Sequence, residues 1–207
     1  MLQFVRKKLY SDNVWSRIAT LVCVFCFMFF GIAIISYHLL PKGFLSNQNN
    51  MRNFETSTSL LVCTLQIFFF NMISVLCILV ASLFSKKKDG VYVSSGYYCF
   101  VLLITINAIT LGTGSFSEAV VDVSLFERII SMFYITKHAG LVEMFGQLLI
   151  VCSLANKSLV LTDGKQTTTR KLKEINYTKT EIAVFIFGLL LMFLGALIES
   201  NTIIKMS

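Results

Sequence analysis

The stretch from Ile135 to Leu149, ITKHAGLVEMFGQLL, carries groups capable of chemistry inside an apolar run long enough to cross a bilayer. Those groups are Lys137, His138, Glu143 and Gln147. An ionisable side chain in hydrocarbon costs roughly 2.5–3.5 kcal/mol on insertion scales, so it turns toward a partner or a wet cavity. We therefore expect the other segments to supply polar partners for Glu143.

The spacing of these groups argues against catalysis. His138 and Glu143 are five positions apart, so on one helix their side chains diverge by roughly 140° and do not form a pair. The chain lacks a His-Glu-x-x-His sequence, a Gly-x-Ser-x-Gly sequence and a glycine-rich phosphate loop. We predict that the protein is not an enzyme and has no catalytic residue, cofactor or metal site.

Composition indicates an integral membrane protein. Of 207 residues, 56% are hydrophobic and 14% are charged, whereas a soluble domain has nearly half apolar and about a quarter charged residues. The net charge of +7 is explained by topology, because no basic stretch has the interleaved aromatic residues that stack on bases. We expect no nucleic-acid partner, and no cleavable signal, because the first apolar run is too long for one.

The hydropathy pattern predicts an all-α, polytopic transmembrane bundle in which residues 1–207 form one integral membrane domain. The five predicted spans cover approximately residues 14–40, 58–84, 91–112, 129–155 and 180–203. Residues 1–13 are either a short interfacial helix or a plain basic flank. The net acidic segment 114–128 is either an amphipathic surface helix or a hinged segment.

Four of the spans have polar or small residues on one helical face. In the second span this face includes Thr64, Asn71 and Ser74, and in the third it includes Asn107. The fourth and fifth spans have stripes formed by Ala139, Glu143, Gly146 and Ile150, and by Gly188, Met192, Gly195 and Glu199.

These patterns give a set of intramembrane candidates for function: Asn71, Asn107, Lys137, His138, Gly140, Glu143, Gln147 and Glu199. Two interpretations stay open for them. They either hold the bundle together by hydrogen bonds, or form a wet path or a switched pair in a transport subunit.

Thirteen of the 18 Lys and Arg residues fall in the N-terminal flank, at Arg17 near the start of the first span, and in the segments after the second and fourth spans. Under the positive-inside rule these segments are cytoplasmic. We predict a multi-pass protein of the cell membrane with its N-terminus in the cytoplasm and its C-terminus outside.

The sequence KHAGLVEMFGQLLI resembles the His-Gly-x-x-Glu-Leu-Pro-Ala signature of the stage II sporulation protein M family of bacterial membrane proteins. Gly140 and Glu143 match the Gly and Glu of that signature, while Ala139 occupies the histidine position and Phe145 the proline position. Three further similarities follow the same order along the chain: Phe70-Asn71, Ile106-Asn107 followed by Gly112, and Ala196-Leu197-Ile198-Glu199. The resemblance covers approximately residue 65 to the C-terminus.

The resemblance implies a permease-like subunit of an ABC-type exporter or immunity transporter for a peptide or small molecule. Such a subunit would need a separate cytosolic ATPase, docked on the basic loops at residues 85–90 and 156–179, and a second copy of the bundle in a homodimer. The alternative is a non-transporting scaffold that recruits partners such as cell-wall hydrolases.

Overall fold

The computed structural model describes residues 2–46, 57–115, 124–133 and 139–206. Its helices are α1 (Leu2–Leu9), α2 (Val14–Leu39), α3 (Leu60–Ser82), α4 (Ser95–Thr113), α5 (Leu125–Met132), α6 (Gly140–Leu154) and α7 (Lys179–Met206). Its strands are β1 (Phe84–Lys88), β2 (Val91–Ser94), β3 (Val160–Asp163) and β4 (Gln166–Thr169), and a short 3₁₀ turn covers Leu172–Glu174.

Four of these helices, α2, α3, α4 and α7, are long and apolar enough to cross a membrane. At 1.5 Å per residue each reaches about 28 Å or more, close to the thickness of a bilayer core. Their outward faces are apolar and exposed, as Phe27, Leu76 and Leu190 illustrate. Lipid would cover these faces, which is the expected property of a membrane protein.

Helix α6 lies at the centre of the bundle. Every residue from Gly146 to Leu154 is buried, and α6 packs against α2, α3, α4 and α7. A helix that is apolar and buried on all sides belongs to a core. With 15 residues, α6 is about 22 Å long, which is shorter than a bilayer core.

The predicted spans match the helices unequally. Spans one, two and five correspond to α2, α3 and α7, but the third begins later than predicted because residues 91–94 form β2. The predicted fourth span, 129–155, contains two separate helices. Helix α5 has its own N-terminal capping box between Ser124 and Glu127 and ends at Met132, while α6 begins at Gly140.

A four-stranded sheet with the order β2-β1-β3-β4 caps one end of the bundle, so the fold is mostly helical but not all-α. The α3–α4 connection forms the antiparallel pair β1–β2, and the α6–α7 connection forms the antiparallel pair β3–β4. The two hairpins join through a parallel pairing of β1 with β3. The sequence predicts basic loops at residues 85–90 and 156–179, so the strands in both connections are a difference from that prediction.

Glycine-containing two-residue turns explain both hairpins. Asp89 and Gly90 make the first turn with φ of 54° and 83°, the left-handed conformation that a two-residue type I′ turn requires. The second turn consists of Gly164 and Lys165, between the paired residues Asp163 and Gln166. Gly164 has φ of 59°, and glycine at the first position is typical of a type II′ turn. The flanking residues Val91-Tyr92-Val93 and Val160-Leu161 are strand formers.

The segments predicted to be cytoplasmic meet at the sheet end of the bundle. The Asn156 side chain donates to the carbonyl of Tyr10 at 3.1 Å, and Arg6 of α1 forms an ion pair with Asp89 of the first hairpin. At the opposite end, the Gly43 amide donates to the carbonyl of Thr113 at 2.9 Å. The basic segments therefore lie together at one end of the fold. That this end faces the cytoplasm stays a prediction.

Candidate functional site

Close packing of α6 on α7 positions the polar residues of the bundle. A side chain at Gly146 would meet the backbone oxygen of Gly188 at 2.8 Å, and one at Gly188 would meet the oxygen of Gly146 at 2.8 Å. Only glycine at both positions allows the two backbones to approach this closely. The glycine-containing stripes predicted for the fourth and fifth spans thus face each other.

One turn from that contact, the carboxylate of Glu143 bridges three helices. Its Oε1 accepts a hydrogen bond of 2.6 Å from Nδ2 of Asn71 on α3. On the α7 side it packs against Gly195, where an added Cβ would lie 2.5 Å from Cγ of Glu143. Glu143 is half-buried and is held between an amide and a bare stretch of backbone.

A chain of hydrogen bonds continues from Asn71 along α3 and back to α6. The Ser74 hydroxyl donates to the carbonyl of Asn71 at 2.6 Å and accepts a 2.8 Å bond from Nε2 of Gln147. Gln147 lies one turn beyond Glu143 on α6, so both side chains face α3. We call Asn71, Ser74, Glu143 and Gln147 the Glu143 cluster.

Gln147 is only partly satisfied within this cluster. The residue is 8% exposed, and its Oε1 has no hydrogen-bond partner among the described residues. A buried acceptor without a partner costs about 1–3 kcal/mol. The cluster therefore has one oxygen available for a donor or a cation.

A second carboxylate, Glu199 of α7, borders the cluster. It is half-buried and close enough to interact electrostatically with Glu143 and with Cys63 of α3. Next to it, the hydroxyls of Thr64 and Ser200 are 2.6 Å apart and both buried. Polar groups thus meet between α3 and α6 at the Glu143 cluster and between α3 and α7 at Thr64 and Ser200.

Two of the other predicted candidates, Asn107 and Gly140, lie apart from the cluster. The Asn107 amide donates to the carbonyl of Leu103, one turn earlier on its own helix, at 3.1 Å. Gly140 is exposed at the start of α6, and an added Cβ there would meet nothing within 4 Å. Lys137 and His138 lie outside the described residues. The roles of all these positions stay predictions.

Sequence reasoning missed a buried ionic network at the sheet end. Arg17 of α2 is 0% exposed and donates to Oε1 of Glu181 at 2.6 Å. Lys157, which follows α6, reaches Oε2 of Glu181 at 2.8 Å. Buried charges persist only when they are paired in this way, so α2, α6 and α7 are tied together here.

A local signal for part of this network is present in the sequence. Thr178 and Glu181 form the Thr-x-x-Glu pattern of a capping box: the Glu181 amide donates to Oγ1 of Thr178 at 3.1 Å, and the Thr178 amide donates to Oε2 of Glu181 at 2.9 Å. This places Glu181 at the first turn of α7. Its pairing with Arg17, 164 positions away, has no such local signal.

The chemistry open to these sites is binding and conformational change. Within the described ranges, no group of three or more His, Cys, Asp and Glu side chains is placed to hold a metal ion. The Glu143 cluster consists of acceptors, amides and a hydroxyl inside a helical bundle. Such an arrangement binds a cation or a polar substrate group, or breaks and re-forms as helices move.

Comparisons with protein-family models, with curated proteins and with solved structures each gave no match. The resemblance to the stage II sporulation protein M family therefore rests only on residues 137–150 and on the three further similarities named above.

Proposed function

We propose that the protein is the permease-like transmembrane subunit of an ABC-type exporter or immunity transporter for a peptide or small molecule, working with a separate ATP-binding subunit. It lies in the cell membrane with its N-terminus and its sheet in the cytoplasm. The observation that carries this proposal is the four-stranded sheet, because it provides a rigid, basic docking surface that is mechanically joined to the central helix of the bundle.

The sheet links two helical connections that are far apart in sequence. The carbonyl of Leu83, at the end of α3, accepts from the amides of Leu159 and Val160 at 2.9 Å each, just before β3. The parallel pairing of β1 with β3 extends this link over three residue pairs. A partner that moves the sheet would therefore move the α3–α4 and α6–α7 pairs together.

Strand β4 leaves one edge of the sheet open. The cross-strand pairs at Asp163–Gln166 and Leu161–Thr168, with the Arg170 amide bonded to the carbonyl of Leu159 at 2.7 Å, define the hydrogen-bonded positions of the ladder. The backbone groups of the alternate residues, Thr167 and Thr169, consequently point away from β3. All four residues of β4 are exposed, so a partner strand can pair here.

The charge around this edge favours an acidic partner surface. The basic residues on and beside the two hairpins are Lys86, Lys87, Lys88, Lys165, Arg170, Lys171 and Lys173. The Nζ of Lys87 lies 2.5 Å from the carboxylate of Asp163, and that hydrogen bond raises the pKa of Lys87. Interspersed positive charge speeds encounter with a negatively charged subunit and makes it sensitive to salt.

Helix α6 connects this docking surface with the Glu143 cluster. Glu143 lies in the first turn of α6, and β3 begins six residues after its last turn. The buried pair of Arg17 and Glu181 fixes the sheet end of α2 against α7. A displacement at the sheet would thus be transmitted along α6 to the hydrogen bonds of Asn71 and Gln147.

One observation favours the second candidate, a scaffold that binds partners without transporting anything. The backbone-to-backbone approach of Gly146 and Gly188 closes the α6–α7 interface beside the Glu143 cluster. A bundle packed this closely needs a large rearrangement to open a path. The same sheet would then serve only to recruit a cytosolic or membrane partner.

Copurification and transport together separate the two functions. The tagged full chain is isolated from its native membrane at low salt, and its partners are identified by mass spectrometry. An exporter copurifies with an ATPase and loses ATP-dependent transport in Glu143→Ala, whereas a scaffold keeps its partner and its phenotype in that variant. Asn107→Ala is the matched control, because that amide lies outside the cluster.

The docking surface is tested by proline substitution at the open edge. Thr167→Pro removes an outward-facing N–H without breaking the β3–β4 ladder, since proline is tolerated on edge strands at such positions. We expect loss of the partner with the protein still folded. Thr168→Pro, which removes an inward-facing N–H, serves as the comparison that disrupts the sheet itself. If Thr167→Pro still binds the partner, the partner does not pair with the open edge of β4.

A further inference from the structure

We propose that the outward face of α1 binds the headgroups of anionic phospholipids in the leaflet at the sheet end of the bundle. This face, which we call the α1 face, consists of Phe4, Lys7 and Lys8. The inference needs a membrane but neither an ATPase nor transport, so it can fail while the proposed function stands.

One side of α1 is held on the bundle. Val5 packs against the hydrophobic core, and Leu9 is buried in it. The Leu9 carbonyl accepts a 3.0 Å hydrogen bond from the hydroxyl of Tyr97 on α4, and Arg6 forms an ion pair with Asp89. Because these contacts fix the rotation of α1 about its axis, the opposite side of the helix faces outward.

The outward side combines an aromatic ring with two positive charges. Phe4, Lys7 and Lys8 have the i, i+3, i+4 spacing of neighbours on a helix surface, and all three are exposed, Phe4 to 64%. The Nζ of Lys8 lies 5.7 Å from the centroid of the Phe4 ring. Within the described residues, neither lysine takes part in an ion pair.

The α1 face lies at the level where the spanning helices end. Tyr97, the donor to Leu9, belongs to the first turn of α4. Asn156, just beyond α6, donates to the carbonyl of Tyr10 at 3.1 Å. In the first turn of α2, Trp15 is 62% exposed, and tryptophan is typical of the membrane interface. Helix α1 is therefore placed beside lipid headgroups rather than acyl chains.

The α1 face borders a depression that has room for a headgroup. Its volume is about 500 Å³, within the range of about 300–1,000 Å³ for sites that hold small organic molecules. Its lining consists of charged, hydroxyl and aromatic side chains, namely Phe4, Lys7, Lys8, Tyr10, Ser11 and Asp12. Two lysines against one carboxylate leave the lining net positive, which favours an anionic headgroup over a zwitterionic one.

This mixture of groups favours a lipid surface over a protein partner. A basic segment beside a spanning helix is attracted to anionic headgroups. An aromatic ring on the same side inserts among the headgroups, while the lysines extend toward the phosphates. An acidic protein would have to reach the α1 face through the headgroup layer.

Fluorescence quenching by brominated lipid tests the α1 face directly. Trp15 is the only tryptophan of the chain, so Phe4→Trp in a Trp15→Phe background places the sole indole on α1. The full-length protein is placed in nanodiscs of phosphatidylglycerol and phosphatidylcholine in equal amounts, with bromine on the acyl chains of one lipid or the other. Bromine quenches an indole that it contacts, so the ratio of quenching in the two preparations gives the preference of the α1 face for the anionic lipid.

We expect a preference for phosphatidylglycerol that rising salt weakens. Lys7→Gln and Lys8→Gln should each lower the preference about fivefold, the effect of one basic residue near an anionic surface, and Lys7→Arg should retain it. Asp12→Asn should raise the preference, a gain that unfolding cannot produce. Lys165→Gln, which removes an exposed lysine of the second hairpin, is the matched control and should leave the preference unchanged.

Equal quenching by the two lipids overturns the proposal. So does a loss in Lys165→Gln as large as that in Lys7→Gln, because the preference would then come from the overall charge of the sheet end. The double variant of Lys7→Gln and Lys8→Gln is also isolated from its native membrane. Loss of a bound protein, with the lipid preference unchanged, would assign the α1 face to an acidic protein and overturn the proposal too. Circular dichroism and elution as a single species check that each variant is folded.

Discussion

Gly146→Ala is the substitution that most sharply tests the packing of α6 on α7. The added methyl group would lie 2.8 Å from the backbone oxygen of Gly188 and 3.0 Å from Cγ of Met192. The oxygen cannot rotate away as a side chain would, so the two helices must separate. Gly31→Ala in α2 is the matched control, because a Cβ at that position meets nothing within 4 Å.

The two variants are expected to change stability in opposite directions. Replacing a helical glycine by alanine is worth about 0.5–1 kcal/mol of stabilisation at either position. Overpacking against a fixed neighbour costs about 1–3 kcal/mol, and backbone contact puts Gly146 at the upper end. Gly31→Ala should therefore raise the free energy of unfolding slightly, while Gly146→Ala should lower it by about 1–2 kcal/mol. The difference between the two changes in free energy of unfolding gives the cost of the steric clash between α6 and α7.

The assay is unfolding in mild detergent, followed by circular dichroism or by thiol accessibility of the buried Cys63 and Cys152. Gly188→Ala repeats the test from the other helix, where the added methyl group would lie 2.8 Å from both the oxygen of Gly146 and Cγ1 of Ile150. Equal effects of Gly31→Ala and Gly146→Ala on stability would refute the close approach of α6 and α7.

Two further predictions concern the sheet end. Arg17→Met leaves the charge of Glu181 buried with one fewer partner and should lower the free energy of unfolding by about 3–5 kcal/mol. Arg6→Met, at a partly exposed ion pair, should lower it by under about 1 kcal/mol. Chemical denaturation measures both values. Gly90→Ala places a side chain at a φ of 83° and should destabilise the sheet by about 1 kcal/mol, seen as faster hydrogen exchange of the β1–β2 amides. An Arg17→Met protein as stable as the unsubstituted one would contradict the buried Arg17–Glu181 pair. Unchanged hydrogen exchange in Gly90→Ala would contradict the first hairpin turn.

The helical periodicity of each segment was enough to predict which of its residues face neighbouring helices. The polar face of the second span and the glycine stripes of the fourth and fifth follow from i, i+3, i+4 spacing, and Asn71, Gly146 and Gly188 do face neighbouring helices. A lipid-facing helix must turn its small and polar residues inward, so a single sequence suffices for this step. Whether the Glu143 cluster functions is a separate question that periodicity does not answer.

The sheet and the buried ion pair could not be predicted in this way, because they depend on contacts between segments that are distant in sequence. Asp89-Gly90 and Gly164-Lys165 are local hairpin signals, but the charge of the Lys86–Lys88 run equally fits a basic flank outside a span, which is the topological interpretation given above. The parallel pairing of β1 with β3 joins residues 76 positions apart, such as Ser85 and Leu161, and no local pattern specifies that register. The burial of Arg17 likewise has no local signal, because its partner Glu181 lies on another helix.

A double-mutant cycle on Asn71 and Glu143 tests most directly whether polar groups of different helices meet inside this bundle. Unfolding free energies are measured in bicelles for Asn71→Ala, Glu143→Ala and the double variant, with Asn107→Ala replacing Asn71→Ala in a control cycle. A direct hydrogen bond within a membrane bundle predicts a coupling energy of about 0.6–2 kcal/mol for the first pair and about zero for the second. Additive effects of Asn71→Ala and Glu143→Ala would contradict the account.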